Sequence, residues 1–225
     1  AEPVLVDTGF LAMGREYLAA IEDAIDLADI RWLWLTHADP DHIGCLWDVL
    51  DRAPRAKLVT TFLGLGKLGV IRAIPPQRAH LLNPGQSLDV GDRTLLAVKP
   101  PTFDAPETTG FLDQKTRTLF SSDCFGTLLS EPVERANDLR PDARRDGLVT
   151  WATIDAPWLA TTVASAFERA LARVRDLGPR IVLSSHAPPA HQMTQALIDD
   201  LGTARAAPPF VGPDQEELTR ILGAA

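Results

Sequence analysis

The chain has 225 residues with 22 basic and 30 acidic side chains, a formal net charge of −8, and 45% apolar residues. That length and apolar content suit one sizeable core, so a single domain over 1–225 is the default expectation. The charge argues against a nucleic-acid partner, because the basic residues of 135–145 are interleaved with Glu134, Asp138, Asp142 and Asp146 and form no patch.

No apolar run approaches the roughly 20 residues of a membrane span, since charges, Gly and Pro interrupt each one. Cys45 and Cys124 have neither the number for a disulfide framework nor the paired spacing of a thiolate metal site, and read as small core residues. A soluble, cytoplasmic protein is expected. The first residue is Ala1 rather than Met, which leaves open whether residues precede it.

In chain order, residues 4–6 form an apolar strand ending at Asp7-Thr8-Gly9, and Leu18, Ile21 and Ile25 mark a helix over 16–27. Residues 32–35 form a second apolar strand that runs into Thr36-His37-Ala38-Asp39-Pro40-Asp41-His42. Ile43, Leu46, Trp47 and Leu50 then recur at helical spacing. A strand over 58–61 precedes a helix over 63–71, closed off by Pro75-Pro76. Short strands follow at 79–82, 87–90, 94–98, 109–112 and 118–121, split by turn signals and suited to an antiparallel meander. Residues 131–158 read as a loop able to wall a pocket, and 156–177 as a helix stopped by Gly178-Pro179. A last strand over 180–183 delivers Ser184-Ser185-His186, and helices over 193–201 and 215–222 complete the chain.

Two of the five histidines fall with two aspartates inside residues 37–42. Four such groups at the end of an apolar strand are costly to bury unless a cation neutralises them. The stretch resembles the His-x-[His/Glu/Asp]-x-Asp-His signature of the metallo-β-lactamase superfamily. Val4-Leu5-Val6-Asp7-Thr8-Gly9, Ser121-Ser122-Asp123 and Leu183-Ser184-Ser185-His186 resemble three further landmarks of that superfamily, in the same order. The carboxylate at Asp39 is similar to the di-iron branch, the flavodiiron and stand-alone oxygen-binding di-iron proteins. So are the gaps of 61 residues from His42 to Asp104, 18 to Asp123 and 62 to His186.

The resemblance implies a mixed α/β (α+β) chain folded as a four-layer αββα sandwich. It implies two metal ions, one on His37, Asp39 and Asp104, the other on Asp41, His42 and His186, with Asp123 bridging and with Asp41 and Asp123 in the reacting centre. Asp104 departs from the pattern, standing where those relatives carry histidine, with Glu107 as a weaker substitute. Asp7 is expected to hydrogen-bond the metal loop, while His80 and His191 read as packing or surface residues, His191 near the site mouth. Four carboxylates against three imidazoles suit iron first, with manganese or zinc as alternatives. Flavodiiron enzymes carry a fused flavin domain, for which 225 residues leave no room, so electrons would come from a separate donor.

The resemblance thus leads to a non-haem di-iron protein that binds dioxygen or nitric oxide, with their reduction left open and a homodimer compatible with it. The alternative is a dinuclear metal hydrolase attacking an ester, lactone, thioester or phosphodiester of a small-molecule substrate through a bridging hydroxide. A metal-free interaction module is the third reading.

Overall fold

The computed structural model describes residues 2–223. Its first half is a parallel four-stranded sheet, β1 (Val4–Val6), β2 (Trp32–Trp34), β3 (Lys57–Thr60) and β4 (Ala79–Leu81), in that order. Helices α1 (Gly14–Ala24), α3 (Leu46–Arg52) and α4 (Phe62–Ile71) are the crossovers between them, with the single turn α2 (Pro40–Ile43) after β2.

The second sheet has six strands, in spatial order β10 (Ala187–His191), β9 (Ile181–Ser184), β8 (Thr118–Phe120), β7 (Gly110–Asp113), β6 (Thr94–Val98) and β5 (Ser87–Asp89). Only β8 and β9 pair in parallel. The long connection between those two strands contains α5 (Pro141–Asp155) and α6 (Ala164–Leu177). Helices α7 (Thr194–Thr203) and α8 (Gln215–Gly223) follow β10.

Strand alternation divides the apolar residues among three cores. Trp34 and Val59 of the first sheet meet Leu95, Ala97 and Phe111 of the second, with the Trp34 and Phe111 rings 4.8 Å apart. Leu33, Leu35 and Leu58 face the other way, onto α3 and α4, and Cys45 belongs to that layer. Leu112, Leu119 and Val182 pack on α5, α6 and α7 together with Cys124. Helix, sheet, sheet and helix are therefore stacked as four layers, as the resemblance implied. Among the described residues, no helix is long and apolar enough to cross a membrane.

Several elements differ from the sequence reading. Residues 79–81 do not start the antiparallel meander but extend the first sheet, with Leu58 opposite Ala79, because α4 returns the chain for a parallel pairing. The segment read as a loop over 131–158 contains the four-turn helix α5, begun by Pro141 at its first position. The helix expected over 156–177 is a 3-10 turn at Pro157–Thr161 followed by α6 from Ala164, since Pro157 cannot continue α5. Strand β10 went unread because Pro188 and Pro189 argue against a strand, yet at the sheet edge their missing N–H groups cost nothing.

Candidate metal centre

Strand β2 delivers the first motif. Leu35 N donates to Val59 O at 2.9 Å, continuing the sheet, and Thr36 and His37 follow fully buried. Pro40 opens α2, leaving the Asp39 carboxylate free at the helix start, and His42 lies one turn on. The loop after β1 clamps this segment. Asp7 Oδ1 accepts from Thr36 N at 2.8 Å, and its Oδ2 accepts from Thr36 Oγ1 and His42 Nδ1, both at 2.8 Å. Thr8 N and Oγ1 both donate to His42 O at 2.7 Å. Gly44 is required by close approach: a Cβ there would sit 2.2 Å from Leu11 N and 2.4 Å from Gly9 O.

These bonds fix the imidazole tautomers. His42 Nδ1 faces a carboxylate and carries the proton, so Nε2 presents its lone pair to the interior of the site. Thr36 Oγ1 gives its own proton to Asp7 and can therefore accept from His37 Nδ1 at 3.1 Å, which frees His37 Nε2 in the same way.

The remaining motifs come from the second sheet. Lys99 Nζ donates to the carbonyls of Ala105, Pro106 and Thr108, and Trp158 Nε1 donates to Phe103 O at 2.8 Å, so the loop bearing Asp104 is held from both sides. Asp123 sits in a turn after β8 in which Ser122 (φ +56°) and Phe125 (φ +66°) both adopt left-handed backbone. Such conformations cost about 1 kcal/mol or more each and gather where function demands a geometry. Ser185 N donates to Ser122 O and Thr127 N to His186 O, lacing the Asp123 turn to the end of β9. From α5, Trp151 Nε1 donates to Asp123 O at 3.0 Å while its ring lies 4.4 Å from that of His186.

All seven expected side chains converge. His37, Asp39 and Asp104 present donor atoms within 4.8 Å of one another, as do Asp41, His42 and His186, and as do His37, His42 and Asp123. Asp123 lies between the two sets: its Oδ2 is 3.4 Å from His37 Nε2, and its Oδ1 is 3.1 Å from His42 Nε2 and 3.5 Å from His186 Nε2. His186 Nε2 is also 3.3 Å from Asp41 Oδ2.

Electrostatics shows what the cluster lacks. Burial works against charge on His42, yet the nearby carboxylates of Asp123 and Asp7 push it up to about 11 in the absence of metal, a proton then standing at Nε2 where a cation would. Burial would raise Asp123, but His186, His42 and His37 hold it well below the usual carboxylate range. Asp39 is raised by burial and by the neighbouring Asp104. These carboxylates call for positive charge at their centre. Moreover, His37 Nε2, His42 Nε2 and Asp123 Oδ1 are buried without a hydrogen-bond partner, a costly state that cations ligated by those atoms would relieve. The donor set thus fits a dinuclear metal centre.

Two residues that sequence reasoning missed also reach this site, Trp151 and Asp155. Both lie in the segment read as a pocket wall, and only the helical spacing of α5 could have placed them on one face. Burial, then the charges of Asp123 and Asp104, push Asp155 up to about 7. Glu107, the substitute for Asp104, instead faces Lys67 Nζ at 2.6 Å, and among the described residues no group of candidate ligands includes it. His80 packs edge-on against Trp32. His191 is not near the site mouth: it lies opposite Ile181, at the far end of β10 from His186, because β10 runs away from the centre.

A sequence model described as ODP family beta lactamase matches residues 1–186. The anaerobic nitric oxide reductase flavorubredoxin of Salmonella typhi is 29% identical over 124 residues, 55% of this chain and 26% of that protein. Among solved structures, the rubredoxin oxygen:oxidoreductase of Desulfovibrio gigas superposes with a TM-score of 0.80 at 19% identity, over 92% of this chain and 52% of that one. The flavodiiron protein of Giardia intestinalis gives 0.79 at 19%, over 91% and 49%. At such identity the structural likeness speaks for the fold. The chain spans about a quarter of the flavorubredoxin and about half of the two solved chains.

Proposed function

The chain belongs to the ODP family of β-lactamases, and on that premise we propose that it is a non-haem di-iron protein acting on dioxygen or nitric oxide. Residues 1–225 would act as one domain, with His37, Asp39 and Asp104 holding one ion, Asp41, His42 and His186 the other, and Asp123 shared. The observation that carries this reading is the convergence of three imidazoles and four carboxylates on buried atoms without hydrogen-bond partners. Such an oxygen-rich set suits iron better than zinc. The relatives named for nitric oxide reduction and for oxygen reduction with rubredoxin support the same assignment.

A pair of irons held by these residues would supply one-electron redox chemistry towards a small diatomic molecule. This chain's residues do the rest. Asp7 and Thr36 set the tautomers of His42 and His37 so that both Nε2 atoms face inward. Trp151 holds the Asp123 turn and packs its ring against that of His186, which orients the imidazole. Electrons would come from a donor outside residues 1–225.

The test is to load the protein with ferrous iron anaerobically and titrate it with oxygen or nitric oxide while recording the visible spectrum. A new absorption band that saturates at a fixed ratio of gas to protein supports the proposal. An unchanged spectrum, together with ester or lactone hydrolysis by the zinc-loaded protein, overturns it in favour of a metal hydrolase.

A further inference from the structure

Asp155, the last residue of α5, is a half-buried carboxylate with no salt-bridge partner among the described residues. Its Oδ2 is inaccessible and accepts no hydrogen bond, and no Lys or Arg pairs with it among the described residues. A helix C-terminus carries partial negative charge, which makes that position unfavourable for an anion. Carboxylate oxygens of Asp104, Asp123 and Asp155 nevertheless lie within 4.8 Å of one another. Three carboxylates so placed repel each other at a net cost unless a cation sits among them.

A second observation points into the same space. His37 is 1% exposed, its Nε2 has no hydrogen-bond partner, and that atom is 3.8 Å from Asp104 Oδ1 and 3.4 Å from Asp123 Oδ2. The unpartnered His37 nitrogen thus faces two of those three carboxylates, Asp104 and Asp123, so the space they border is lined by a buried imidazole as well as by acids.

We infer that Asp155 is an eighth ligand of the metal centre, supplying the Asp104 side with an additional carboxylate that makes this half selective for hard divalent cations. The inference rests on the dinuclear reading above. Mn(II) is hard, favours oxygen ligands and accepts six, and ferrous iron, though borderline, also takes six-coordinate shells containing carboxylates, whereas zinc in a four-coordinate nitrogen-rich shell gains nothing from a further carboxylate. A fifth anionic ligand also offsets more of the charge of an oxidised pair.

The experiment compares the wild-type protein with Asp155→Asn, using Mn(II) as the probe, by chelator competition and by thermal melting with and without metal. The amide keeps the shape and removes the charge. Binding of one of the two Mn(II) ions should weaken by about tenfold or more, while the metal-free variant melts at a higher temperature because repulsion has been removed. A carboxylate that faces the ions without ligating them gives the same two signs, and the metal–oxygen distance in crystals separates that case from ligation. Two Mn(II) per chain in both proteins with affinities within about twofold overturns the inference and leaves the dinuclear reading standing. A lower metal-free melting temperature likewise overturns it. Uptake of no Mn(II) by the wild-type protein overturns both. Crystals of the wild-type protein grown with Mn(II) give a check that does not depend on a variant folding: an Asp155 oxygen about 2.2 Å from a manganese ion supports the inference, and one beyond about 4 Å overturns it.

Discussion

Asp7→Asn separates the role of the clamp from mere bulk. Asp7 is an acceptor at both oxygens, to Thr36 N at one and to Thr36 Oγ1 and His42 Nδ1 at the other, all at 2.8 Å. An asparagine of the same shape must set its NH2 against one of them. Facing Thr36 N, it creates a buried donor–donor contact that the backbone cannot relieve. Facing His42, it forces the imidazole proton from Nδ1 to Nε2, the atom 3.1 Å from Asp123 and 3.4 Å from Asp41, and so blocks the lone pair the metal requires. One such unsatisfied buried donor costs about 1–3 kcal/mol. In a chain of this size each kcal/mol lowers the melting temperature by about 2–4 °C, so the metal-free variant should melt about 2–12 °C lower. Loss of a partner that orients a ligand weakens metal binding by about 10- to 100-fold. Differential scanning calorimetry without metal and chelator competition with Mn(II) read the two effects separately. Binding within about twofold of wild type would refute the tautomer argument.

Three other perturbations follow from the same geometry. Gly44→Ala drives a Cβ to 2.2 Å from Leu11 N and breaks the 2.8 Å bond from Gly44 N to Gly9 O, so overpacking plus a lost bond should cost about 2–4 kcal/mol, read as a lower denaturant midpoint. His186→Ala removes an imidazole from the set shared with Asp41 and His42 and should leave the protein with about one metal ion per chain instead of two by elemental analysis. In the metal-free protein, Asp155 is raised from 3.8 to about 7, chiefly by burial, so the folded chain holds a proton that the unfolded chain has released. Its stability contribution is therefore present below about pH 4 and is lost as pH rises towards 7. Melting temperature should fall across that window, and Asp155→Asn should flatten the fall.

The first motif was legible because its elements are local. An apolar strand at 32–35 and a helix from Pro40 leave few arrangements, and Asp39, Asp41 and the two histidines fall within six consecutive residues where one hands over to the other. Asp104, Asp123 and His186 became legible through their order and spacing in a resembling family rather than through any local pattern. Trp151 and Asp155 escaped because α5 opens on the charged run Asp142, Arg144, Arg145 and Asp146, which outweighs its apolar face formed by Leu148 and Ala152. Sheet membership of residues 79–81 depends on how α4 crosses over, a long-range decision that alternation in three residues does not encode.

The most direct measurement is the metal content of protein produced in iron-replete anaerobic culture, compared with a variant in which His37 and His186 are both alanine. Convergence of seven ligands on an iron pair predicts about two irons per wild-type chain, little zinc, and almost no iron in the variant. Stoichiometric zinc in the wild type, or iron that persists unchanged in the variant, would contradict it.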